Sequence, residues 1–85
     1  MHFMLIVSTP EGEIYRGNAV NLSLRGVEGD LAVMAGHTPF ITAVKPCACI
    51  IEKEEGAILN GEIDGGLLTV SKESVTLLTG HFITK

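Results

Sequence analysis

No tryptophan and only one tyrosine occur in the 85 residues, so the aromatic platform on which single-stranded nucleic acid stacks is missing. Basic side chains are scarce too. Six Lys and Arg stand against ten Asp and Glu, for a net charge of −4. A sequence-independent nucleic-acid binder needs the opposite balance to displace phosphate counterions. We therefore expect no nucleic-acid partner. Long hydrophobic runs are also lacking. The longest uncharged stretch, Leu31 to Val44, contains Gly36, His37 and Pro39 and spans 14 residues. A spanning helix needs ~20 unbroken apolar residues, so no direct membrane insertion is expected. The opening Met1-His2-Phe3-Met4 lacks the basic region of a signal peptide. Two cysteines are too few for a disulfide scaffold and point to a reducing compartment.

What the chain does have is apolar content: 46% of its residues, with a mean hydropathy of +0.37. That excludes intrinsic disorder. A domain this small encloses little interior, so part of the apolar surface is expected to lie against a partner. Ten glycines and three prolines break the chain into short pieces, and 22 residues are Val, Ile or Thr, which favour the pleated sheet. Short strands at this spacing predict an all-β sandwich or barrel. The expected strands are Phe3 to Ser8, Glu13 to Arg16, Val20 to Arg25, Asp30 to Met34, Phe40 to Val44, Cys47 to Glu52, Ala57 to Ile63, Leu67 to Ser71 and Val75 to Leu78. Val20, Leu22 and Leu24 alternate with polar residues and are expected in the core. The reading is one domain over 1–85 with nine or ten strands and no substantial helix.

Candidate chemistry is thin. Cys47-Ala48-Cys49 places two thiols on one side of a strand, with Cα atoms roughly 6.5 Å apart at ~3.3 Å per residue. No second pair completes a metal site, so both are read as small core-facing residues. His37 could serve as a general base, but no Ser or Cys beside it carries a nucleophile motif. His81 carries no signal. Gly26-x-x-Gly29 and Gly65-Gly66 lack the Lys of a phosphate loop, and Glu28 and Asp30 would repel phosphate. They are read as turns. No catalytic residue, cofactor or metal ligand is assigned. A carrier domain of biotinyl or lipoyl type would need an exposed Lys at a hairpin apex. Lys45 precedes Pro46, and Lys53 and Lys72 lie beside glutamates.

Residue order supplies more. Leu5-Ile6-Val7-Ser8-Thr9-Pro10-Glu11-Gly12 opens the chain, Leu24-Arg25-Gly26-Val27-Glu28-Gly29-Asp30 is followed by Gly36-His37-Thr38-Pro39, and Ile63-Asp64-Gly65-Gly66-Leu67 comes later. In this order they resemble the N-terminal β-sandwich of the epsilon subunit of F-type ATP synthases, over essentially the whole chain. Arg25, Ala32 and Ala35 replace the family's usual Pro, Gly and Pro; Cys47 stands where the family has Gly, and Leu67 replaces an aromatic.

The resemblance implies a ten-stranded sandwich of two packed sheets. It implies a non-catalytic rotor subunit that joins gamma to the c-ring, peripheral on the cytoplasmic face of the bacterial inner membrane. Glu28, Asp30 and His37 match positions facing the c-ring, and Ser8 and Thr42 match positions facing gamma. Most family members continue as a regulatory helical hairpin, whereas this sequence stops at Lys85. Neither nucleotide binding nor a brake on hydrolysis is therefore expected. The alternative is a free-standing all-β carrier or ligand-binding module.

Overall fold

Alternation decides the first strand. In β1 (Phe3–Thr9), Phe3, Leu5 and Val7 are buried, while Met4, Ile6 and Ser8 lie half-buried on the opposite side. The computed structural model describes residues 1–36 and 38–85. After a turn at Pro10-Glu11 come β2 (Gly12–Gly26), β3 (Gly29–Met34), β4 (Phe40–Lys53), β5 (Ile58–Val70), β6 (Ser74–Thr79) and β7 (Phe82–Thr84). The chain is all-β, and no helix occurs among the described residues. Neighbours run β1-β6-β5-β4-β2, and β2 pairs back onto β1, which closes five strands into a barrel. Strand β3 extends β2, and β7 adds to β5.

Seven strands among the described residues thus stand where a ten-stranded, two-sheet sandwich was expected. Three expected breaks are bends inside single long strands. In β2, Ala19 is the pivot: it pairs with Phe3 of β1 and with Lys53 of β4. In β4 the strand runs through Pro46, and in β5 through Gly65-Gly66. These two bends lie at one level, because Val44 pairs with Gly66 and Pro46 with Asp64. A proline or a glycine pair weakens a strand, and here Pro46, opposite Asp64, and Gly66, opposite Val44, fall close together on one ladder, where both strands turn without parting.

Glycine is required at that bend. Gly65 holds φ +100°, and a Cβ there would lie 2.8 Å from the Val44 carbonyl oxygen. At Gly66 a Cβ would run into the Leu78 carbonyl oxygen. The bend is also tied to the next turn. Buried Thr79 donates its hydroxyl hydrogen to the Gly65 carbonyl at 2.5 Å, and the Asp64 carboxylate accepts the His81 N–H at 3.1 Å. Pro46 is tolerated because β4 has left β2 at this level, between the pairs Ser23↔Ile50 and Gly26↔Val44. There the Arg25 N–H, with no register partner in β4, donates to Cys47 Sγ at 3.3 Å.

The core fills the barrel. Leu5, Leu22, Ile51, Leu68 and Leu77 are fully buried, each worth about 1.5–3 kcal/mol of burial. Leu22 and Leu24 take the expected core places, but Val20 does not. A register shift between Ala19 and Asn21 puts Ala19 inside and leaves Val20 half-buried. Cys49 is buried and Cys47 half-buried, and both thiols are free.

Two outcomes follow from this packing. Gly66→Ala drives a methyl into backbone and is expected to lower stability by about 3 kcal/mol or more. Gly12→Ala meets no atom within 4 Å and costs only its φ of +130°, about 1–2 kcal/mol. Urea unfolding of the two variants checks the contrast. Burial first, and Cys47 second, push the Cys49 thiol up from 9.0 to about 12. The unfolded chain therefore releases a proton above pH 9 that the folded chain keeps. The stabilisation from this group is complete below pH 9 and is lost as pH rises toward 12. Unfolding curves from pH 8 to 10.5 should fall less steeply with pH for Cys49→Ala than for the parent.

Candidate functional site

Two surfaces stand out, a charged hairpin tip and an uncharged sheet face. The tip joins β2 to β3. Gly26 pairs with Gly29, leaving Val27 and Glu28 as a two-residue loop, and Gly29 supplies φ +132°. Glu28 is exposed, with no hydrogen bond or ion pair to any described residue. Asp30 is exposed as well, but it is not free. Its register partner is Arg25, whose Nε donates to Asp30 Oδ1 at 2.8 Å. With these side chains 60% and 80% exposed, the pair contributes about 0–1 kcal/mol to stability.

Glu28 and Asp30 line a shallow hollow of about 360 Å³ together with Leu31, Phe40, Ile41 and Thr42. Thr42 had been expected on the other contact surface, yet it lies beside the acidic tip. Its hydroxyl donates to the Ala43 carbonyl at 3.3 Å. His37, the third expected ring-facing residue, lies outside the described residues.

Ser8 belongs to the sheet face. It pairs with Leu78 of β6, Leu78 with Leu67 of β5, and Leu67 with Ala43 of β4. One step along the strands, Ile6, Thr76, Thr69 and Ile41 form the next row on the same side. These eight positions form a continuous face with no charged residue. Ile41 is 67% exposed, Leu78 48% and Leu67 42%. Thr42 falls between the rows, in line with buried Leu68, Leu77 and Val7, so it is on the opposite face of the sheet from Ser8.

Sequence reasoning did not find Ile41, Leu67 and Leu78 as a surface. A signal was present: Leu67-Leu68 and Leu77-Leu78 are adjacent apolar pairs in strands, and one member of each must face outward.

Elsewhere the chemistry is muted. Among the described residues, no three of His, Cys, Asp and Glu converge to hold a metal ion. The Arg16 guanidinium hydrogen-bonded to Glu13 holds that carboxyl below its usual range, and burial pushes the Tyr15 phenol up. Lys53 Nζ lies 5.6 Å from the Tyr15 ring centroid. Both pairs lie in β2 and at the end of β4, at the opposite end of β2 from the tip.

The same chain path occurs in solved structures. One is a chain of the mitochondrial ATP synthase of Euglena gracilis, from its OSCP, F1 and c-ring assembly, with a TM-score of 0.92 and 22% identity. Another belongs to the central stalk and c-ring of the Tetrahymena thermophila mitochondrial ATP synthase, with a TM-score of 0.79 and 15% identity. Each covers 98% of this chain, which spans 53% of the first and 66% of the second. Likeness at such identity establishes the fold. Residues 2–85 match the β-sandwich domain of the ATP synthase delta/epsilon chain, and the protein belongs to that family.

Proposed function

We propose that this chain is a non-catalytic rotor subunit of an F-type ATP synthase, holding gamma and the c-ring as one rigid body during rotation. The observation that carries the reading is the uncharged outer face of Ile41, Ala43, Leu67, Leu78 and Ser8. Solvated proteins seldom leave a continuous apolar face open, and a rotor subunit has gamma to cover it. The acidic tip is a second surface of different character. In this reading Glu28 and Asp30 bear on cationic loops of the c-ring, where opposite charge fixes register. Thr42 then belongs with the tip, and Ser8 alone of the two remains a gamma contact.

A barrel suits a mechanical role. Closure leaves no free edge in the five-strand ring, and close packing resists deformation. Nothing in this role calls for a nucleotide or a metal. The chain sits peripherally, on the cytoplasmic face of a bacterial inner membrane, held through its partners.

Leu78→Asp tests the assignment. At a half-exposed site it should change stability by about 0.5 kcal/mol or less. Co-purification with gamma should fall at least about tenfold, the effect of a central apolar anchor lost to a buried charge. Undiminished gamma binding by Leu78→Asp and by Leu67→Glu would rule out this face as the contact.

A further inference from the structure

We propose that the β5 edge from Asn60 to Ile63 is a strand-addition site with a socket for one aromatic ring. The chain's own β7 fills it here. In place of β7 the site takes an extended segment of another chain, with an aromatic residue and a cation three positions later. The inference does not depend on the rotor reading.

The socket is a missing side chain. Gly61 is buried, and its φ lies outside the left-handed region, so backbone conformation does not account for a glycine there. Phe82 does. A Cβ at position 61 would lie 2.7 Å from Phe82 Cε1 and run into Cζ. Register sets Phe82 opposite Ile63 and Thr84 opposite Gly61, so the ring reaches diagonally along β5 and lies over the glycine. In that position Phe82 packs against the core.

Few contacts hold β7 in place. The five-strand ring closes without it, and among the described strands it pairs with β5 alone. Besides its register pairs, the Lys85 N–H donates to the Asn60 carbonyl at 2.9 Å, and Lys85 Nζ lies 3.0 Å from Glu62 Oε2. Both charged side chains are about half-exposed, so this ion pair favours a cation at that position more than it adds strength. The Asp64 bond to the His81 N–H fixes the point from which β7 leaves. A three-residue strand at an edge opens at far lower cost than the barrel. Its departure bares the N–H and C=O row of β5 and the hollow over Gly61. Those are the main-chain ladder and the side-chain pocket by which an added strand is recognised.

The test uses the full chain with Phe82→Ala, which empties the socket, and a synthetic peptide of sequence 79–85 as the probe. Backbone amide NMR should show peptide-dependent shifts at Gly61, Glu62 and Ile63, with β1 and β6 unmoved. A peptide with alanine in place of its phenylalanine should bind about tenfold more weakly or worse. Adding Gly61→Ala to the chain fills the socket from the other side and should remove binding.

Equal binding of the two peptides, undiminished binding after Gly61→Ala, or no shifts at 61–63 overturns the proposal. Should Phe82→Ala not fold, amide hydrogen exchange in the parent decides. The Lys85 N–H should then exchange about tenfold or more faster than the amides of β1 and β6. Equal rates would mean that β7 leaves only when the barrel unfolds, and the site would not exist in the folded chain.

Discussion

The ladder between β4 and β5 bends once, with both strands turning at the same level, and the rest of the architecture depends on that bend. Twelve residue pairs keep register across it. Before the bend, β4 lies against β5 residues that also pair with β6; after it, β4 lies against β2 and against β5 residues that pair with β7. One pair of strands thereby serves both sides of the barrel. The bend tolerates Pro46, where β4 has left β2, and needs residues without Cβ at Gly65 and Gly66. Thr79 and Asp64 hold the following turn against it.

The closed ring determines how surface is divided. Inward positions of β1, β4, β5 and β6 fill the core with Leu5, Val7, Ile51, Leu68 and Leu77. Their outward neighbours are Ser8, Ala43, Leu67 and Leu78, so the outer face of the sheet here is uncharged and largely apolar. An uncharged face and an acidic apex follow from the same ladder, with the closed barrel between them.

Much of this was legible in the residues. The strand over Phe3 to Ser8 and the Gly26–Gly29 turn were read where they occur, and so was the absence of helix among the described residues, but the first strand was read from its continuous apolar run and not from the alternation it shows. Strand number was not, because Gly and Pro were counted as ends one at a time. Only the register shows Pro46 and Gly65-Gly66 falling at one level of a ladder, with Asp64 opposite Pro46 and Val44 opposite Gly66. The pairing of Arg25 with Asp30 depends on the hairpin having two loop residues, which fixes who stands opposite whom. Ser8 and Thr42 were grouped by resemblance, yet their faces are set by parity across four strands, which one strand's pattern does not contain. The chain's membership of the delta/epsilon family was visible in residue order.

Photo-crosslinking in the intact ATP synthase tests the division of faces most directly. A benzophenone side chain would replace Leu78 in one preparation and Glu28 in another. The account predicts capture of gamma from position 78 and of a c-ring loop from position 28. Capture of the ring from 78 and of gamma from 28 would contradict it.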